Sequence, residues 1–184
     1  MDISSTDVGG AGANPDDSDL HEVLDFLSTQ RYCCVVLPDF DDHGNLPPGI
    51  HEAPWSEIEE RLGTTPHRRR LLEGLLRAAR ILKSVGCQRL YIDGGFATLK
   101  TIPKDFDGCW ESVGVDLAEL ARIEPALVTF DANRSTQKLK FGGELFIAEF
   151  MADARGRTYL EFFQEDRDGN VKGIILIDLR GIDD

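Results

Sequence analysis

Two aspartates one residue apart, Asp105 and Asp107, are the residues whose type and spacing best suit chemistry in this chain. On a strand, side chains at i and i+2 point to the same face. The two carboxylates would then stand side by side, with Phe106 turned into the core. Like charges this close are costly unless a proton or a cation compensates them. A hard divalent ion such as Mg²⁺ is the natural compensation, because it takes few protein carboxylates and completes its shell with phosphate and water. Upstream, Gly94-Gly95 closes an apolar run, Gln88 to Asp93. A glycine pair at a strand end lets the backbone approach a ligand closely and turn its N–H groups toward phosphate oxygens. The same residues also allow a plain hairpin, in which Asp105 caps a turn and Asp107 faces solvent.

Other chemistries find no support. The four cysteines, Cys33, Cys34, Cys87 and Cys109, form no CxxC pair, and the histidines at 21, 43, 51 and 67 have no HxxxH spacing. A zinc site and a disulfide framework are therefore not expected, and reduced, mostly buried thiols are. The acidic stretch from Asp39 has Ile50 where a calcium loop needs its closing Glu. No GxGxxG, GxxxxGK[ST] or GxSxG pattern occurs.

An apolar strand, Gly94-Gly95, nine intervening residues and then Asp105-Phe106-Asp107 resemble the nucleotidyltransferase superfamily, which includes DNA polymerase beta and the small antitoxin-type enzymes. The resemblance implies an α+β fold, a mixed β-sheet flanked by helices around a nucleotidyltransferase-like core. It implies that Asp105 and Asp107 hold Mg²⁺ (or Mn²⁺), that Gly94 and Gly95 bind the β- and γ-phosphates of an NTP, and that Thr98 and Lys100 add phosphate contacts. Lys138 and Lys140 would neutralise charge on the leaving pyrophosphate. The superfamily places a third carboxylate on a later strand. Glu149 is the choice here for catalysis and metal binding, with Glu144, Asp131 and Glu161 as alternatives. Gly95 stands where the superfamily often has Ser, which removes one hydroxyl contact. More narrowly, Leu46 to His51, Pro66 to Arg70, Asp105 to Trp110 and Lys172 to Ile174 resemble a family of bacterial proteins whose function is not established, spanning roughly residues 46–180.

The elements that must position these residues follow from local patterns. Thr65 is a good N-cap and Pro66 suits the first helical position. Leu71, Leu72, Leu75, Leu76, Ala79 and Leu82 make one apolar face, and Gly86 supplies the stop. His67, Arg68, Arg69 and Arg70 lie on the first turn of that helix, either as a solvated face or as a phosphate-contacting patch. Strands are expected over Gln88–Asp93, Asp105–Trp110, Ala126–Phe130, Leu145–Phe150 and Gly173–Leu179. Helices are expected over Trp55–Leu62, Val115–Ile123 and Asn133–Gly142, and Tyr159–Gln164 is open between the two. The stretch from Pro38 to Gly49 reads as loop chemistry and Asp168-Gly169 as a tight turn.

Of 33 acids, five fall in the first 20 residues; the remaining 28 face 20 bases, a net charge of −8. An acidic surface disfavours sequence-independent binding of DNA. Residues 1–19 read as a disordered acidic tail, 20–45 as an extension with a short helix (Leu20–Gln30) and strand (Tyr32–Leu37), and 46–184 as the nucleotidyltransferase-like domain. No apolar run is long enough for a membrane span and no secretory signal is expected, so the expected location is cytoplasmic. Two functions follow. One is transfer of a nucleotidyl group from an NTP to an unknown hydroxyl acceptor. The other is a catalytically weak or inactive nucleotide-binding, antitoxin-like regulatory module that acts through a protein partner.

Overall fold

A computed structural model describes residues 37–129 and 134–183. The tail at 1–19, the helix and strand expected between Leu20 and Val36, and Asp131 lie outside the described residues. Strands β1 (Gly49–Glu52), β2 (Arg89–Asp93), β3 (Phe106–Trp110), β4 (Gly143–Ile147) and β5 (Gly173–Asp178) form one sheet in the order β1-β5-β2-β3-β4. The pairs β1–β5 and β3–β4 are parallel, whereas β2 runs antiparallel to both β5 and β3. The helices are α1 (Trp55–Leu62), α2 (Pro66–Ser84), α3 (Leu117–Ile123), α4 (Ser135–Phe141) and α5 (Tyr159–Phe162). The protein is thus α+β with a mixed five-stranded sheet.

Helix α2 forms as its sequence dictates. The Thr65 hydroxyl accepts from the Arg68 N–H at 3.2 Å, which satisfies one of the orphan donors of the first turn. Leu71, Leu72, Leu75, Ala78, Ala79 and Leu82 are buried. After Ser84 the chain turns through Gly86 at φ +96°, a conformation glycine enters without steric cost. At Gly74 an added Cβ would lie 1.7 Å from the Phe141 carbonyl oxygen, so α2 and the end of α4 are in backbone contact.

The principal core lies between these helices and one face of the sheet, which presents Leu90, Ile92, Phe106, Trp110, Ile175 and Ile177. Leu37 is buried in it and Phe40 packs against it, although the sequence assigns both to an extension. The other face carries Tyr91, Cys109, Ile174 and Phe146 and is covered by Tyr159, Leu160 and Phe163 of the α5 segment. Both described cysteines are free and buried. Burial pushes the Cys87 thiol up to about 12 and raises the Cys109 thiol as well, which disfavours the thiolate of both near neutrality.

Three expectations need correction. In the described part of the strand expected over Ala126–Phe130 the chain forms a 3₁₀ turn instead, Pro125–Leu127. Pro125 lacks a ladder donor and suits the first position of a helical turn. The loop expected up to Gly49 gives way to β1, a four-residue edge strand too short for alternation to reveal. Strand β4 begins at Gly143 rather than Leu145 and ends at Ile147. Its outer edge is covered by Gln137, which accepts from the Leu145 N–H at 2.7 Å and donates to the Ala126 carbonyl at 2.8 Å. Among the described residues, no helix is long and apolar enough to cross a membrane.

Candidate active site

Strand β2 ends at Asp93, and Gly94–Ala97 forms a 3₁₀ turn that redirects the chain toward β3. Gly94 has φ +75°, and a Cβ there would lie 2.4 Å from the Asp107 Oδ2. Its lack of a side chain serves twice, in the turn and in the approach of the carboxylate. Gly94→Ala is expected to cost about 1–3 kcal/mol from the backbone alone and to displace Asp107, read as a lower urea midpoint.

Arg68 braces this turn. It is 2% exposed. Its guanidinium donates to the carbonyls of Leu62 (2.5 Å), Lys100 (2.7 Å) and Phe96, and lies over the Phe96 ring. Neither reading of the basic first turn covers this residue, since Arg68 is neither solvated nor directed at a ligand. Within the turn, the Thr98 hydroxyl donates to the Gly95 carbonyl at 2.8 Å, and the Lys100 stem lies along Gly95.

The sheet register builds the carboxylate row. Asp107 on β3 pairs with Asp93 on β2 and with Glu144 on β4, so the three side chains share one face. Asp105 precedes them by one strand repeat. Lys138 of α4 reaches both Asp105, at 3.5 Å, and Glu144, at 3.0 Å. The hydrogen bond to Glu144 is the main reason its ammonium is held above the usual range. Lys172 pairs with Asp93, which is 6% exposed; burial nevertheless raises the Asp93 carboxyl, with the lysine opposing. Asp107, in the middle, forms no ion pair among the described residues. Burial first, then the charges of Asp105, Glu144 and Asp93, raise its carboxyl to about 6.

The structure brings together Gly94, Gly95, Thr98, Lys100, Asp105, Asp107 and Lys138, but not the other two candidates. The Glu149 carboxylate accepts from the Ser112 N–H (3.1 Å) and hydroxyl (3.1 Å), past the far end of β3. The early start of β4 sets this: the parallel register places Glu144, not Glu149, beside Asp107. Lys140 pairs at 2.5 Å with Glu124, a carboxylate that is 3% exposed. Glu161 is spent in the capping box of α5 with Thr158.

A cleft of about 770 Å³ opens over this face. Asp93, Gly94, Gly95, Thr98, Lys100 and Asp107 line one part of it. Arg155, Arg157, Arg167, Lys172 and the aromatic residues Tyr159 and Phe162 line the rest. Sequence reasoning missed this second wall and missed Asp93, whose position at the strand end directly before the glycine pair was the available signal.

Among the described residues, no three His, Cys, Asp or Glu side chains form a group that could hold a metal ion. An all-protein cage is therefore not what the donor set suits. Asp105 and Asp107 do suit an ion that takes one or two carboxylates and leaves the rest of its shell to phosphate and water. Asp107 is half-buried and crowded by like charges, and among the described residues it forms no ion pair.

Fold and cleft together define a mixed α+β protein whose five-stranded sheet carries a glycine-edged cleft lined by both acidic and basic side chains. The chain belongs to a family of unknown function (DUF6932), whose model matches residues 38–178. No curated protein and no solved structure matches it.

Proposed function

We propose that the protein is a Mg²⁺-dependent nucleotidyltransferase that moves a nucleotidyl group from an NTP to a hydroxyl acceptor. The observation that carries this reading is that the Gly94-Gly95 turn and Asp107, which forms no ion pair among the described residues, line one cleft, with Asp105 near Asp107. Asp105 and Asp107 would hold the ion; when bound there it would offset the triphosphate charge and make an acceptor hydroxyl easier to deprotonate. The backbone N–H groups of the glycine turn are suited to phosphate oxygens, and Lys100 offers a positive charge beside them. Arg68 keeps the turn in place without touching ligand. Lys138 fixes the orientation of Asp105 from its position between that carboxylate and Glu144.

The expected result is Mg²⁺- or Mn²⁺-dependent transfer of α-phosphate label from an NTP to a protein, tRNA or aminoglycoside acceptor. Replacing Asp105 and Asp107 together by Ala should abolish it. Absence of transfer from every common NTP would sink the enzymatic reading.

A second reading has its own observation. The Lys138 ammonium already supplies a cation between Asp105 and Glu144, and among the described residues no three carboxylates form a group that could hold a metal ion. Both features favour a weak or inactive nucleotide-binding, antitoxin-like module that acts through a protein partner. Nucleotide binding without turnover, and biological function that survives the double Asp replacement, would select it.

A further inference from the structure

Five cationic side chains line the cleft: Lys100, Arg155, Arg157, Arg167 and Lys172. Three are committed within the protein. Arg155 and Arg157 each pair with both Asp153 and Glu165. Lys172 pairs with Asp93. Among the described residues, Lys100 and Arg167 have no acidic partner, so their charge is available to a ligand. They come from different segments, Lys100 from the glycine turn and Arg167 from the hairpin between α5 and β5.

That hairpin is well fixed. Glu165 and Val171 form an antiparallel bridge, and the Lys172 N–H donates to the Gln164 carbonyl at 2.9 Å. The Asp166 carboxylate accepts from the N–H groups of Asp168 (2.9 Å) and Asn170 (2.8 Å). The backbone under Arg167 is thus held while its side chain remains exposed. A guanidinium presents a fork of donors that matches phosphate oxygens two at a time.

We propose that Arg167 is a ligand-binding residue that grips the polyphosphate of a nucleoside triphosphate from the hairpin side of the cleft, with Lys100 gripping it from the glycine-turn side. The proposal rests on the reading of this cleft as an NTP site and adds the residue that selects chain length. A triphosphate offers separate phosphate groups to the two cations that line the cleft, whereas a monophosphate offers only one.

The test is calorimetric titration of the full chain with tripolyphosphate, ATP and AMP, each with Mg²⁺, in the wild type and in Arg167→Ala, Arg167→Lys and Lys100→Ala. Arg167→Ala should weaken tripolyphosphate and ATP by roughly tenfold to a hundredfold, the range of a hydrogen-bonded charge contact. AMP should change much less, and Arg167→Lys should recover part of the loss. Because Arg167 is exposed, its variants should melt with the wild type, which separates lost binding from lost folding. If the wild type binds tripolyphosphate and ATP and Arg167→Ala binds them equally well, the role of Arg167 is overturned while the NTP reading stands. Equal weakening of AMP and ATP would also overturn it. If the wild type binds none of the three, both readings fall.

Discussion

Asp107→Asn should raise the melting temperature at pH 7.5 while removing any Mg²⁺-dependent ligand binding. An aspartate carboxyl titrates near 3.8 when the chain is unfolded and near 6 in the folded protein, because burial and then the charges of Asp105, Glu144 and Asp93 disfavour its ionised form. Between those two pH values the folded state holds the proton more tightly. The stabilisation from this group is therefore complete below about pH 4 and is lost as pH rises through 6. At 1.36 kcal/mol per pH unit, the ionised group costs the fold up to about 3 kcal/mol near neutrality. Asparagine has almost the same shape and cannot ionise. Its gain should reach roughly 5 °C or more in a chain of this length, and should vanish in scans near pH 4.

The same carboxylate should respond to ions. A divalent cation that binds only the folded state stabilises it, so millimolar Mg²⁺ should raise the melting point of the wild type and leave Asp107→Asn unmoved. A variant no more stable than the wild type at pH 7.5, or a difference that persists in acid, would show that a crowded buried charge is not what strains this site. Stability given up at one residue is a common mark of a functional position, since natural sites keep groups that the fold alone would not.

Arg68→Met should destabilise the protein by about 3 kcal/mol or more in urea titrations. The guanidinium satisfies the carbonyls of Leu62, Phe96 and Lys100, and a buried acceptor left without a donor costs about 1–3 kcal/mol. Burial lowers the Arg68 pKa from its ordinary value, but a guanidinium remains charged at every pH of interest. Lysine carries the same charge without the planar fork, so Arg68→Lys should lose a large part of the same stability. Because Phe96 lies in the Gly94–Ala97 turn and Lys100 follows it, both variants should also weaken any nucleotide binding in proportion to the destabilisation. A loss below about 1 kcal/mol in Arg68→Met would mean that the turn holds without its brace.

Much of the frame was legible because it depends on near neighbours in sequence. Thr65 and Pro66 start α2, its apolar face follows a 3.6-residue period, and Gly86 stops it, all as local rules require. Strands β2 and β3 were readable from apolar run and alternation, and with them the nearness of Asp105 to Asp107, although β3 begins one residue later than expected, at Phe106. The helix at Trp55–Leu62 and the turn at Asp168-Gly169 were equally local. Lys138 and Lys140 are two residues apart, and on a helix such residues do not face the same way. Lys138 reaches the site and Lys140 turns to Glu124.

The sequence by itself determined the glycine pair, the paired aspartates and the elements on either side, since each follows from spacing within a few residues. Only the tertiary structure decided which acid stands beside them. The register of β3 with β4 is a contact between distant segments, and it put Glu144 next to Asp107 and sent Glu149 to Ser112. Tertiary packing likewise buried Arg68 beneath the turn and placed Arg167 in the lining of the cleft. Such pairings depend on which long-range packing wins, and no local periodicity encodes that choice.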